Sequence, residues 1–259
     1  MKEVFGSFQI IYPDCTGDKA IEQIERVART CYQSNAKMNK YSGEKLVRNL
    51  IGMGHEAMLE HFSVSVEFIT DRGVSHEIVR HRLASYAQES TRYCNYSKDK
   101  FESQITVISP EIAMKYKLGQ TVTNKNGRKI LIDDDVISTW LRVWKASCRT
   151  AEQAYLNLLD LGCPPELARG VLPNSLKTSI VVTMNLREWR HFFKLRTLGT
   201  TGKPHPQMFE LAKPLLFKLN SYIPVVFEDL VERFKKVNPY ADKSAMQSAG
   251  AEVIRSATE

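Results

Sequence analysis

No run in the 259-residue sequence approaches the roughly 18 consecutive apolar residues that a membrane-spanning helix needs, so no membrane partner is expected. The start, Met1 to Asp14, carries neither a basic leader nor an apolar stretch of the signal-peptide kind, and a cytoplasmic location is expected. Cysteine is sparse. Cys15, Cys31, Cys94, Cys148 and Cys163 are odd in number, scattered, and never form a C-x-x-C pair, which predicts free thiols and argues against a disulfide framework or a thiolate metal centre. The nucleotide-loop patterns of glycine are missing as well. Gly52-Met53-Gly54 lacks the third glycine of a dinucleotide fingerprint, and there is no P-loop. His55 and His61 stand six apart, about 240° around a helix, rather than the four apart of a zinc protease; no metal site is expected.

What is present is enough apolar material, 43% of residues, for a sizeable core in one globular domain. Lys and Arg number 36 against 29 Asp and Glu, and the net charge of +7 biases the surface toward anions: nucleic acid, nucleotides or polyglutamylated folates. Ile21, Ile24, Val27, Ala28 and Cys31, then Leu46, Val47, Leu50 and Ile51, recur at three- and four-residue intervals and predict two amphipathic helices. Ser63 to Thr70 alternates and predicts a half-buried strand, closed by a turn at Asp71-Arg72-Gly73, with a helix following from Ser75 as N-cap.

Asn126-Gly127 between β-prone residues marks a hairpin within 122–132. A long helix is predicted over about 135–161, stopped by Gly162 and followed by another started at Pro164-Pro165. A strand over 178–184 precedes helices over about 187–195, 206–220 with a kink at Pro214, and 224–234. Strands separated by runs of helix predict an α+β fold, a single domain with an antiparallel or mixed sheet packed against several helices. The domain is expected to span 1–239, with a hairpin insertion over 119–135 and a polar tail over 240–259.

The densest chemistry lies in Arg80-His81-Arg82, Ser85, Gln88, Ser90 and Arg92, within thirteen residues. On a helix, Arg80 and Arg82 would project about 200° apart and reach two adjacent ligand sites. Guanidinium forks suit phosphate oxygens, and a glutamine offers the donor and acceptor a pyrimidine edge needs, so the set fits a nucleotide. The same residues also read as a solvated basic helix face. With Tyr86, Tyr93 and Tyr96 interleaved they read as a nucleic-acid surface, although the remaining basic residues are spread among acids along the whole chain.

Arg80-His81-Arg82, seven further residues and then Ser90 resemble the R-H-R-x7-S signature of the flavin-dependent thymidylate synthases, also called thymidylate synthase complementing proteins. The resemblance extends, in the family's order, to Ala28-Arg29-Thr30-Cys31-Tyr32, Gly54 to His61, Ala168 to Pro173, Asn185-Leu186-Arg187, Arg196 and Pro206-Gln207, covering roughly residues 18 to 235. It implies reductive methylation of dUMP to dTMP with FAD as cofactor, NADPH as reductant and methylenetetrahydrofolate as carbon donor. It also implies a homotetramer whose active sites are shared between subunits, and no nucleic-acid partner.

Carried over by position, the resemblance puts FAD at His55, Ala57, Glu60, Arg80, His81, Arg82, Asn185, Arg187 and His191. It puts dUMP at Glu77, Arg80, Gln88, Glu89, Ser90, Thr91, Arg92, Arg169 and Arg196. Arg196 becomes the catalytic group, a guanidinium at the uracil edge where negative charge develops. Ser90 is assigned to binding, since no His or Asp stands at a spacing that would activate it. The Pro-Cys-His motif of the cysteine-dependent thymidylate synthases is missing, which argues against a covalent cysteine adduct. Glu77, Gln88 and Ala57 depart from residues common in the family, and 119–135 and 197–203 look extended. Any contact from Ala57 must come from its backbone.

Overall fold

The structure, a computed structural model, describes residues 1–13 and 17–237. Cys15 and the tail over 240–259 lie outside the described residues; Cys31, Cys94, Cys148 and Cys163 are free thiols. In chain order the strands are β1 (Lys2–Val4), β2 (Ser7–Tyr12), β3 (Ser63–Asp71), β4 (Ala84–Gln88), β5 (Thr106–Ile108), β6 (Thr121–Thr123), β7 (Lys129–Leu131) and β8 (Lys177–Asn185). The helices are α1 (Gly17–Thr30), α2 (Ser42–Gly52), α3 (Arg72–Ile78), α4 (Glu111–Lys115), α5 (Asp134–Asp160), α6 (Pro165–Ala168), α7 (Leu186–Arg196), α8 (Pro206–Tyr222) and α9 (Pro224–Val237). A four-stranded sheet has the order β2-β3-β8-β4, β1 pairs parallel with β5, and β6 pairs antiparallel with β7. This is the expected α+β architecture. No helix among the described residues is long and apolar enough to cross a membrane.

The chain divides into two compact units. The first comprises 1–6, 68–80 and 87–181. Its core gathers Tyr96, Ile105, Val107, Cys148, Tyr155, Ala168 and Leu176, with Trp144 and Leu172 packed against them. α5 supplies Cys148 and Tyr155 to this core, and Asp133 starts the helix by accepting the Val136 N–H at 2.9 Å. The indole of Trp144 donates to Ser175 Oγ at 2.9 Å, so the polar edge of a partly buried ring is satisfied. The expected hairpin is present as β6 and β7, though its turn begins at Asn124. Asn124 accepts the Gly127 N–H at 3.0 Å, and Gly127 takes φ +75°, a left-handed conformation that glycine adopts without cost from a side chain.

The second unit comprises 7–67, 81–86 and 182–259, of which 7–13, 17–67, 81–86 and 182–237 are described. Trp189, Phe192 and Phe193 of α7 pack with Phe227 of α9 in a fully buried aromatic cluster, and the Trp189 indole donates to the Val64 carbonyl at 3.1 Å. Arg190, 2% exposed, forks onto both oxygens of Asp229 at 2.7 and 2.8 Å and reaches Glu56 at 3.1 Å. A buried guanidinium is tolerable only with such partners. α8 runs through Pro214 as one element.

Two local expectations fail near residue 75. Asp71 does not sit in a turn with Arg72 and Gly73; it caps α3, accepting the Val74 N–H at 2.6 Å. Ser75 is therefore inside the helix, fully buried, its hydroxyl donating to the Arg72 carbonyl at 2.9 Å. The helix ends at Ile78, and Arg80-His81-Arg82 is not helical. The chain turns at Val79 and Arg80 and enters β4, a strand whose Ala-Ser-Tyr-Ala-Gln composition offers no apolar alternation to announce it.

Candidate active site

In the first unit, the residues expected at the nucleotide lie at the end of β4, in the turn after it, and at Arg169. Ser90 to Arg92 forms a tight bend in which Ser90 Oγ accepts the Arg92 N–H at 3.3 Å and the Ser90 carbonyl accepts the Cys94 N–H at 2.9 Å. Across from this bend stands the short α6. Arg92 Nε is 3.3 Å from Glu166 Oε2, and Arg169 donates through Nε to the Glu166 carbonyl at 3.1 Å and through Nη1 to Thr91 Oγ1 at 3.0 Å. Two guanidiniums thus converge on one glutamate beside a serine and a threonine. The Arg92 guanidinium also lies 5.4 Å from the Tyr93 ring centroid. Among the described residues no imidazole or carboxylate is recorded hydrogen-bonding Ser90 Oγ, which accepts the Arg92 N–H.

Gln88 and Glu89 are held from behind. The Gln88 amide nitrogen donates to Ser75 Oγ at 2.9 Å and Thr178 Oγ1 at 3.2 Å. The Glu89 carboxylate accepts from Tyr96 Oη at 3.0 Å, Lys177 Nζ at 2.9 Å and the Ser179 N–H at 3.3 Å. With three donors on its oxygens, Glu89 braces the bend. Burial, reinforced by Glu89, raises the Tyr96 phenol well above its ordinary value and keeps it a donor. Glu77 sits half-buried in the last turn of α3, and Arg80 is exposed just beyond it.

In the second unit, α7 organises the residues expected at the flavin. Asn185 caps the helix, its side chain accepting the Glu188 N–H at 2.9 Å, and the exposed Arg187 pairs with Glu60 at 2.5 Å. Glu60 and Ala57 lie on the 3-10 turn Glu56–His61, with His55 just before it; all three are exposed, as are Arg82 and His191. His81 is different: it is only 4% exposed. Its Nδ1 is 3.3 Å from Glu188 Oε1, and its Nε2 is 3.2 Å from Arg196 Nε. Burial, with the charges of Arg196 and His191 adding to it, drives the His81 pKa down to about 4, so the ring is neutral at physiological pH. The contact with Glu188 is then a hydrogen bond to a carboxylate rather than an ion pair. Since Arg196 can only donate, Nε2 is the acceptor and Nδ1 carries the proton.

His81, Glu188 and His191 place their ligand atoms within 4.8 Å of one another. Both ring nitrogens of His81 are already committed, one to a guanidinium that repels cations, so the donor set suits a hydrogen-bond chain better than a metal ion.

The profile of a family described as "Thymidylate synthase complementing protein" matches residues 15–225 of this chain. The chain belongs to that family. Among its relatives, a flavin-dependent thymidylate synthase of Geobacter sulfurreducens is 31% identical over 210 residues, 78% of each chain. One of Mycolicibacterium gilvum is 32% identical over 235 residues, 83% of this chain and 81% of the relative. The crystal structure of a UMP/dUMP methylase, PolB from Streptomyces cacaoi, bound with 5-Br dUMP, matches with a TM-score of 0.72 at 20% identity, covering 90% of this chain and 97% of the other. At that identity the likeness is one of fold.

In this member of the thymidylate synthase complementing protein family, the residues expected at the ligands fall in two groups: Arg80, Gln88, Ser90, Thr91, Arg92 and Arg169 in one unit, and His81, Arg82, Asn185, Arg187, His191 and Arg196 in the other. Sequence reasoning passed over Glu166 and Glu188. Glu188 carried a signal, for Asn185-x-x-Glu188 is a helix-start pattern, but that pattern predicts a carboxylate folded back on the cap, not one turned to an imidazole.

Proposed function

We propose that this protein methylates dUMP to dTMP as a flavin-dependent thymidylate synthase, with FAD as cofactor, NADPH as reductant and methylenetetrahydrofolate as carbon donor. The observation that carries the reading is the convergence of Arg92 and Arg169 on Glu166 beside Ser90 and Thr91, in a chain whose family profile matches 15–225. An incoming phosphate competes with Glu166 for Arg92 and gains Arg169 as a second cation, while the Thr91 and Ser90 hydroxyls supply neutral donors. Arg80, Gln88, Glu77 and the braced Glu89 complete the nucleotide assignment.

FAD fits the second group on the chemistry of its donors. Arg82 and Arg187 are exposed cations, Asn185 a polar amide, and His55 and His191 exposed imidazoles, a set suited to a pyrophosphate and an electron-rich ring. Glu60 steers Arg187, Ala57 offers only backbone, and His81 would meet a flavin through its ring edge or backbone because its nitrogens are committed. When bound, reduced FAD supplies the reducing equivalents that turn a transferred one-carbon unit into a methyl group. The protein's own part is positioning and charge. The Arg196 guanidinium stabilises negative charge at the uracil N3–C4=O edge and so raises electron density at C5.

The assembly is a homotetramer with sites shared between subunits, in the cytoplasm, and the catalytic domain spans 1–239 with 240–259 as a tail. The +7 charge serves phosphate and folate rather than nucleic acid. The test is the visible spectrum of the purified protein with FAD, followed by reduction with NADPH with and without dUMP. A bound-flavin spectrum that bleaches at a rate responding to dUMP is expected. Failure to bind flavin at any concentration, with salt-sensitive retention of long DNA, would point instead to a nucleic-acid-binding protein.

A further inference from the structure

We propose that Glu188 and His81 are positioning residues for Arg196: a buried chain Glu188···His81···Arg196 fixes the plane of the guanidinium. This rests on the reading above that Arg196 acts on the uracil ring, and it goes beyond that reading by assigning a role to Glu188 and a second role to His81.

Arg196 lies in the last turn of α7, and the helix is capped by Thr197 immediately after it. A long side chain at a helix end is free to sweep through several rotamers, and ordering it has an entropic cost. Here one tether is on Nε, held at 3.2 Å from His81 Nε2. Because Nε, Cζ and both Nη atoms are coplanar, holding Nε sets where Nη1 and Nη2 point without this contact consuming either of them.

The imidazole that does the holding is itself caged. The Phe192 ring centroid is 4.9 Å away and that of His191 5.9 Å, and the Tyr86 hydroxyl donates to the His81 carbonyl. Its acceptor face points to Arg196 only in the tautomer with the proton on Nδ1, and the tautomer is set by what Nδ1 meets. That is Glu188 Oε1, on a side chain 6% exposed and eight residues before Arg196 on the same helix. The carboxylate therefore acts at one remove. It selects the proton position, the proton position makes Nε2 an acceptor, and the acceptor orients the guanidinium. The charged and titratable groups facing the imidazole are Glu188, His191 and Arg196 from α7, with Tyr86 from β4 at the backbone. None of them competes with Arg196 as a donor to Nε2.

The experiment compares Glu188→Leu, Glu188→Gln and Arg196→Ala in the flavin-loaded enzyme, measuring kcat, KM for dUMP, bound flavin and Tm. Leucine removes the acceptor. It is expected to lower kcat by about 10- to 100-fold, the effect of a misplaced transition-state group, with KM and flavin content unchanged. Glutamine still presents an oxygen to Nδ1–H and is expected to restore kcat to within a few-fold of the parent enzyme. If Glu188→Leu keeps the parent kcat while Arg196→Ala is inactive, the positioning role is wrong and the role of Arg196 stands. Parallel losses of kcat, flavin and Tm in Glu188→Leu without rescue by glutamine would make Glu188 a merely structural residue and also overturn the proposal. If Arg196→Ala turns over like the parent, the underlying reading fails and the proposal falls with it.

Discussion

Glu210 on α8 holds one carboxylate oxygen, Oε1, out of solvent with no hydrogen-bond partner, and burial pushes its pKa up to about 7 from an ordinary 4.5. In the unfolded chain the group ionises near 4.5, while the folded state keeps the proton to about 7, so the native state binds more protons across that window. Stability therefore falls as pH rises from about 4.5 to about 7 and the loss is complete above it. Glu210→Gln keeps the shape and removes the charge. It is expected to be neutral near pH 4.5 and stabilising by ~1–3 kcal/mol at pH 8, read as a Tm difference that grows with pH. A Tm difference that does not change between the two pH values would show that the carboxyl ionises normally. Burial alone does not decide such matters: Arg190 is more deeply buried than Glu210, yet its three carboxylate and carbonyl partners keep it charged.

At the scale of elements, close approach is what the sequence conceals. A Cβ on Gly17 would fall 1.8 Å from the Tyr222 carbonyl oxygen, so the first residue of α1 must be glycine for the start of that helix to lie against the end of α8. The obstacle is backbone, which cannot rotate away. Gly17→Ala is expected to destabilise by about 1–3 kcal/mol, with a Tm lower by several degrees and activity retained below the new transition. An unchanged Tm would mean that α1 and α8 do not meet in solution as they do here. α3 teaches a related lesson. Asp71, which continues β3, and Ser75, inside the helix, are both good caps by composition, and propensity cannot choose between them. The choice falls to Asp71 because Ser75 is needed in the interior, where its hydroxyl receives the Gln88 amide.

For the whole molecule, the residues expected at the ligands fall into two compact units within one chain, and the proposed shared-site homotetramer makes a distinctive prediction. Arg92→Ala damages one group and Arg196→Ala the other, so each variant alone is expected to be inactive. Co-expressed in equal amounts, they should recover about a quarter of parental activity, since sites drawn from two different subunits are sometimes built from two intact halves. No recovery in demonstrably mixed tetramers would show that each site is built within a single chain.

The sequence by itself determined the long helices, the two central strands β3 and β8, and the family, because apolar periodicity and the R-H-R-x7-S spacing are local patterns that survive without knowledge of the fold. It also singled out Arg92 and Arg169, which both meet Glu166. Only the tertiary structure decided that Arg80-His81-Arg82 leaves its helix, that Glu89 is a brace with three donors, and that Glu188 faces an imidazole rather than its own helix cap. The reason is range. A hydrogen bond such as that between His81 and Glu188 joins residues 107 apart in sequence, and no local pattern encodes which distant group will fill the second lone pair or accept the second proton.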